Sequence, residues 1–249
     1  MNGALGEALS AAGITLSPGA AQALSKYLEY TLAANETQNL TALRSPNLFA
    51  AEGIVDSLLA WEAIGAEREA AVVDIGSGSG LPALVWLCAG RITSAHLIEA
   101  ERRKADFLRS AADALGLAAE VSWGRAEELG RNALRDKAAL VTARALAPAP
   151  VAIEVCGGLV RPGGRLALLK GRHAEEEAAA GSPVAVRMGF SPAEIVPYAL
   201  PSGVQRWVLV YRKQRPTPAG RPTSFARLRR EFPTRDAAGG ERFGQRQGE

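Results

Sequence analysis

The chain of 249 residues is poor in the side chains that build metal centres and disulfide frameworks. It has two histidines and two cysteines, and Cys88 and Cys156 lie far apart in apolar helical patterns. With so few histidines and cysteines, the sequence predicts neither a disulfide framework nor a metal site. We therefore expect a protein that holds no metal ion.

Long apolar runs are also missing. No stretch approaches the roughly 18 to 20 residues of a membrane-spanning helix, and residues 1–4 lack the basic segment that opens a secretory signal. We therefore expect a cytoplasmic protein that has no membrane partner. We also expect it to be a monomer. With 47% hydrophobic residues, the chain can build one α/β domain and a small accessory element.

The net charge of +3 is unevenly distributed. Residues 205–249 contain eleven Arg or Lys against four Asp or Glu, a net +7, so the preceding residues carry −4. Proline and glycine interrupt this arginine-rich end, which is typical of an extended basic arm, and polyanions are the natural partner of such an arm. We expect residues 214–249 to form a basic, flexible tail outside the folded core.

The most informative stretch is residues 71–82, in which apolar residues lead into Asp74 and then into a glycine-rich turn. Three glycines follow at alternate positions: Gly76, Gly78 and Gly80. The pattern predicts a buried parallel strand, a tight turn and a helix that begins near Leu81. Glycines let the backbone approach a ligand, and the first N–H groups of the helix point toward it. The sequence therefore predicts a ligand-binding loop.

The spacing of these glycines differs from the dinucleotide fingerprint, in which the third glycine comes one residue later. A carboxylate at Asp74 would be unfavourable beside a pyrophosphate and favourable beside a cationic amino acid or sulfonium. This favours S-adenosylmethionine over NAD, with a nicotinamide-dependent oxidoreductase as the alternative. The expected cofactor-binding residues of the loop are Asp74, Gly76, Ser77, Gly78, Gly80 and Leu81.

Two later strand ends complete the predicted cofactor site. Glu99 closes an apolar run 19 residues past Gly80, where an acid can accept hydrogen bonds from the two ribose hydroxyls. A third strand at 119–123 is followed by Arg125, and we expect Ala126 and Glu127 in this turn to lie beside the adenine.

These pieces together resemble the bacterial glucose-inhibited division protein B family, whose members make 7-methylguanosine in 16S ribosomal RNA. The similar pieces occur in one order: Asn35 with Asn39-Leu40-Thr41, Asp56-Ser57-Leu58, Asp74 to Pro82, Arg103-Lys104 with Phe107-Leu108, Arg125 to Glu128, Ala143-Arg144-Ala145 and Lys170-Gly171. The resemblance implies an α/β fold of the class I S-adenosylmethionine-dependent methyltransferases, which is Rossmann-like with a mostly parallel seven-stranded sheet. It also implies 16S rRNA or the small-subunit particle as the partner.

Three segments follow from this interpretation. Residues 1–68 are expected to form a helical N-terminal cap, with helices near 4–12, 18–34 and 46–64. Residues 69–213 are expected to form the methyltransferase domain, and residues 214–249 the tail.

The expected catalytic residues are Arg144, Arg125 and Asn39, and Arg144 is expected at the cofactor as well. N7 of guanine has a free lone pair and no proton, so transfer to it needs positioning and charge stabilisation more than a general base. Arg144 and Arg125 could hold a phosphate or the guanine O6 edge. Three alternatives stay open: another RNA substrate, a small-molecule substrate, or a non-catalytic RNA-binding relative. The last is raised by Gly53, where the family usually has a histidine.

Overall fold

The computed structural model of the protein describes residues 3–66 and 69–232. Seven strands form one sheet: β1 (Glu69–Ile75), β2 (Ile92–Glu99), β3 (Ala119–Trp123), β4 (Ala138–Arg144), β5 (Val160–Lys170), β6 (Glu194–Ala199) and β7 (Gln205–Arg212). Their order is β3-β2-β1-β4-β5-β7-β6. The first five strands are parallel, and β7 is antiparallel to both β5 and β6. The expected Rossmann-like, mostly parallel seven-stranded sheet is confirmed.

The central strand β1 pairs with β2 on one side and β4 on the other, so that Asp74 stands level with Leu97 and Thr142. The chain leaves β1 toward β2 and β3 and later returns to β4 on the opposite side. In an open parallel sheet this reversal of strand order leaves a crevice above the carboxyl ends of the strands. The topology therefore brings the ends of β1, β2 and β4 together at one crevice.

Ten α-helices lie in the described part of the chain: α1 (Gly3–Ala11), α2 (Pro18–Gln38), α3 (Pro46–Leu48), α4 (Asp56–Ile64), α5 (Ala83–Cys88), α6 (Arg102–Leu115), α7 (Ala126–Leu129), α8 (Ala149–Gly157), α9 (Ala174–Arg187) and α10 (Phe225–Glu231). Within residues 3–66 and 69–232, none is long and apolar enough to cross a membrane.

Helix α2 extends four residues beyond the expected end at residue 34. Asn35 makes this possible, because its side-chain oxygen accepts the N–H groups of Leu40 and Thr41 (2.7 and 3.0 Å) where the chain turns away. The expected single helix at 46–64 is instead interrupted by a π-helical segment, Phe49–Val55, between α3 and α4. Such segments often occur at functional sites.

The N-terminal helices pack on the sheet as part of its core. Trp61 on α4 meets Trp86 on α5 edge-on, with ring centroids 5.1 Å apart, and the Trp86 indole N–H donates to the Ser57 carbonyl at 2.7 Å. Tyr27 of α2 lies against Phe49, also fully buried, at 5.6 Å. Helix α5 directly follows the glycine-rich loop, so the cap supports that loop from behind.

The expectation of a flexible tail is wrong for residues 214–232, which we call the C-terminal strap. Leu228 of α10 is fully buried, and Glu154 of α8, also fully buried, accepts from Arg221 (2.8 Å) and from the Thr223 N–H (2.9 Å). The physical reason is that the strap's arginine neutralises an interior carboxylate instead of facing solvent. The rest of the predicted tail, 233–249, lies outside the described residues.

We expect Arg221→Met to lower the free energy of unfolding at pH 7 by about 3 kcal/mol, because it removes a close cationic partner of a buried carboxylate. Burial alone would raise the pKa of Glu154, but the hydrogen bonds from Arg221 and Thr223 outweigh it and hold that pKa below its ordinary value. The stabilisation is therefore present above about pH 4.5 and is lost as pH falls through the lowered pKa. Urea unfolding measures the change.

Arg227→Met is the matched control, because Arg227 lies on the exposed side of α10. It should change stability by no more than about 0.5 kcal/mol. Equal stabilities of the two variants would show that Glu154 does not depend on Arg221.

Candidate functional site

The glycine-rich loop connects β1 to α5 and lies over the crevice. Gly76, Gly78 and Gly80 all have positive φ (69°, 56° and 97°), as the predicted tight turn requires. A Cβ on Gly80 would come within 2.4 Å of Leu84, so this glycine is needed for packing, whereas a Cβ on Gly78 would meet nothing closer than 3.8 Å. The backbone at Gly78 therefore borders open space that a ligand can occupy.

Two side-chain hydroxyl groups help to hold the loop in place. The hydroxyl of Tyr27, on α2 of the cap, donates to the Ser79 carbonyl at 2.8 Å. The Ser77 hydroxyl donates to the Asp74 carbonyl at 3.1 Å and closes the turn. The loop thus has a fixed shape before any ligand arrives, which reduces the entropic cost of binding.

Asp74 is the most unusual group of the site. It is fully buried, and neither of its carboxylate oxygens has a hydrogen-bond partner within the described residues. Burial, together with the nearby Glu99, raises the pKa of Asp74 to about 8, although Ser77 and the Arg144 charge oppose the rise. A buried acid without a partner is costly, so this arrangement favours binding of a cation above the strand end.

Glu99 lies at the end of β2, beside the loop, and is nearly buried. Its two oxygens accept from the Gly78 N–H (3.0 Å) and the Glu101 N–H (2.8 Å), which fix the carboxylate in orientation. Each oxygen keeps a further lone pair that can accept a hydroxyl. This geometry is compatible with the expected contact to two ribose hydroxyls.

The turn after β3 approaches the crevice from the far side. Ala126 and Glu127, the first residues of the short α7, are both buried. Arg125 is exposed, and its guanidinium lies over the ring of Phe225, 5.4 Å from the centroid. Since β1 and β2 lie between β3 and β4, Arg125 and Arg144 approach the crevice from opposite sides.

Arg144 lies where β4 meets the cap. Its guanidinium contacts the buried Asp56 carboxylate at 3.2 Å and donates to the Glu52 carbonyl at 2.6 Å. Tyr198 of β6 donates to the other Asp56 oxygen at 2.7 Å. The second terminal nitrogen of Arg144, Nη1, has no hydrogen-bond partner in the described part of the protein. Arg144 therefore joins the cap to the sheet and keeps one buried donor without a partner in the described residues.

A basic cleft of about 580 Å³ opens beside this network. Arg144, Lys170, Arg172 and Arg206 contribute its positive charge, and Asp56, Glu177 and Tyr198 also line it. Lys170 is already bound to Glu177 (2.6 Å), so the more exposed Arg172 is better placed to contact an anionic ligand.

Asn39 lies at the end of a helix of the cap. It is exposed, it terminates α2 in the left-handed conformation, and its side-chain oxygen accepts from Arg44 at 2.9 Å. Gly53 lies within the π-helical segment, where a Cβ would touch Leu43 and Leu81 at 3.4 Å. The catalytic role of Asn39 stays a prediction, and these contacts describe a helix end.

Sequence reasoning assigned no role to Asp56, Tyr198 or Lys170. Lys170 could have been found, because it ends β5 at the same edge of the sheet as Arg144. Asp56 lies in a motif of the family resemblance, but that motif does not indicate its partners. Tyr198 carries no such signal, because it comes from the edge strand and meets Asp56 across 142 residues of chain.

A sheet in this order, with a glycine-rich loop after β1 and an acid at the end of β2, defines the class I S-adenosylmethionine-dependent methyltransferases. Two solved structures share the fold. An O-methyltransferase from Bacillus cereus in complex with SAH is 20% identical with a TM-score of 0.52, covering 76% of this chain and 91% of that one. The cofactor-bound protein Rv0187 from MTB is also 20% identical, with a TM-score of 0.53 and the same coverage.

Comparison with known sequences identifies the family. Residues 20–197 match the family GidB, described as rRNA small subunit methyltransferase G. The protein of that name from Symbiobacterium thermophilum is 35% identical over 228 residues, 88% of this chain and 93% of the relative. The one from Deinococcus radiodurans is 38% identical over 193 residues, 76% of each chain. The chain belongs to the rRNA small subunit methyltransferase G family.

We expect Asp74→Asn to stabilise the cofactor-free protein at pH 8. The folded protein retains a proton on Asp74 that the unfolded chain releases near pH 4, so wild-type stability falls as pH rises from about 4 to 8. Asparagine cannot ionise, and the variant should therefore be more stable at pH 8 by at least about 1 kcal/mol. Urea unfolding at pH 5, 6.5 and 8 measures this difference.

The exposed Asp113 supplies the control, and Asp113→Asn should follow the wild-type pH dependence. If the Asp74→Asn curve also runs parallel to that of the wild type, Asp74 is ionised in the folded protein and its raised pKa is refuted.

Proposed function

We propose that this protein transfers a methyl group from S-adenosylmethionine to N7 of a guanine in 16S ribosomal RNA. The observation that carries the proposal is the buried, unpartnered carboxylate of Asp74 beneath the glycine-rich loop, next to a basic cleft. A carboxylate in this position suits a cationic cofactor, and a cleft of this charge suits an anionic substrate. Membership of the family supports the rRNA substrate.

Four parts of the site would hold the cofactor. The Asp74 carboxylate would bind its ammonium group, the loop at Gly78 would approach its amino-acid end, and Glu99 would accept the ribose hydroxyls. Ala126 and Glu127 would lie beside the adenine. The cofactor supplies an electrophilic methyl group when bound.

On the substrate side, the acceptor nitrogen has no proton to lose, so the protein's contribution is position and charge. Arg144 lines the cleft, where its guanidinium would contact guanine O6 or a phosphate oxygen, and the exposed Arg172 adds a second cation to the same cleft. Arg125 would guide the RNA from the opposite side. We further propose that the protein acts as a monomer in the cytoplasm, which light scattering and cell fractionation would test.

Incubation of the protein with labelled cofactor and small-subunit particles from a strain that lacks the gene tests the proposal. Mass analysis of rRNA nucleosides should show one new 7-methylguanosine. A methyl group on another atom would refute the N7 assignment. No label in 16S rRNA, with cofactor bound, would favour a non-catalytic relative or a different substrate. Calorimetric titration with S-adenosylhomocysteine tests cofactor binding separately, and tighter binding of NAD would refute it.

We expect Arg144→Met to reduce single-turnover methyl transfer at least about a hundredfold, the effect of losing a charged contact worth roughly 3 kcal/mol in the transition state. Affinity for S-adenosylhomocysteine should stay within a few-fold. The change also leaves Asp56 buried without its cation, so the variant should be less stable.

Arg144→Lys separates the two effects, because lysine keeps the charge beside Asp56 but lacks the second donor of the fork. It should fold normally and still transfer at least about tenfold more slowly. Arg172→Met, in the same cleft, is the control: it should raise KM for the particle and lower the salt dependence while leaving kcat unchanged. Normal methyl transfer by Arg144→Lys would show that Arg144 acts only through its ion pair with Asp56.

A further inference from the structure

The C-terminal strap crosses the face of the domain next to the third strand end. At the start of the strap, the Thr217 hydroxyl donates to Asp136 of the main domain at 2.6 Å. The Arg135 guanidinium of the main domain donates to the strap carbonyls of Thr217, Pro218 and Arg221. The strap is bound in the middle by the pair between Arg221 and Glu154. These contacts fix the position of α10.

Helix α10 begins beside the turn that follows β3. The Phe225 N–H, at the start of α10, donates to the Glu127 carboxylate at 3.1 Å, and the Phe225 ring lies beneath the Arg125 guanidinium. Leu228, one turn further on, belongs to the same buried cluster as Ala126. The strap therefore contacts Arg125 and Glu127 and shares a buried cluster with Ala126.

Helix α7, which carries Ala126 and Glu127, has four residues and little stability of its own. Glu127 is nearly buried, and a buried carboxylate must be hydrogen-bonded to keep its orientation. In the described part of the chain the Phe225 N–H is the hydrogen bond found for this carboxylate. The position of the turn thus depends on a segment about a hundred residues away along the chain.

We propose that the C-terminal strap is a positioning element of the cofactor site, in which the Phe225 N–H orients Glu127 and α10 supports the adenine side of the crevice. This inference rests on the proposed function, because it takes the turn 125–127 as the adenine contact. It assigns the strap to cofactor binding, where composition alone indicated a basic arm for RNA. Phe225 is a positioning residue, and its loss should change cofactor affinity more than the rate of transfer.

Removal of the Phe225 backbone N–H by a proline substitution tests this proposal. Phe225 is the first residue of α10, a position that accepts proline, and the preceding Ser224 is already extended (φ −64°, ψ 143°) as a residue before proline must be. Phe225→Pro removes the N–H and the ring, whereas the matched Phe225→Ala removes the ring alone. The difference between them reports the hydrogen bond to Glu127.

We expect S-adenosylhomocysteine to bind Phe225→Pro at least about fivefold more weakly than Phe225→Ala, as for a hydrogen bond to a charged group. KM for S-adenosylmethionine should rise by the same factor, while kcat at saturating cofactor stays within about twofold. In a Glu127→Ala background the two variants should no longer differ. Equal affinities in the wild-type background, with wild-type protein binding normally, would overturn the inference alone. Failure of the wild-type protein to bind would overturn the proposed function as well.

Hydrogen exchange on the unmodified protein provides a second measurement should Phe225→Pro fail to fold. Coupling between two sites is reciprocal, so S-adenosylhomocysteine should slow amide exchange in residues 221–232 at least about fivefold more than in the edge strand β6. Equal slowing in both segments would show that the strap is not coupled to the cofactor site.

Discussion

The burial of a carboxylate at the end of the central strand is the constraint on which the site depends. Asp74 is fully enclosed without a hydrogen-bond partner in the described structure, a state that weakens the fold as pH rises. Acids with such perturbed pKa values cluster at functional sites, and a bound cation would favour the ionised form of Asp74. The surrounding contacts are compatible with such a site: Tyr27 holds the loop, Gly78 leaves space above it, and Arg144 limits the rise in pKa.

Charged side chains that line the cleft join the cap to the sheet. Asp56 belongs to the cap, Arg144 to β4 and Tyr198 to the far edge of the sheet, and one buried carboxylate binds both partners. A side chain that binds substrate from this network would be oriented by the fold itself. The same contacts explain why changes at Arg144 affect stability and activity together, so that only a charge-conserving variant separates them.

The C-terminal segment shows how composition can mislead. Its arginines indicated an exposed arm, yet Arg221 faces the interior carboxylate of Glu154, and Arg135 of the main domain binds the strap's carbonyls. A count of charges gives a net value but not the direction in which each side chain points. The strap contributes to the core and, in our proposal, to the cofactor site.

Local sequence patterns determined much of the fold and of the cofactor-binding loop. Apolar runs, the three glycines and the acids Asp74 and Glu99 are signals within a few residues of one another, and they predicted the strands, the loop and the cofactor class. The family resemblance added the full sheet and the rRNA substrate. Only the tertiary structure decided what Arg144 contacts, that Tyr198 completes the Asp56 network and that Phe225 reaches Glu127. Those pairs are separated by about 90 to 140 residues, and local periodicity has no means of indicating which distant side chains will meet.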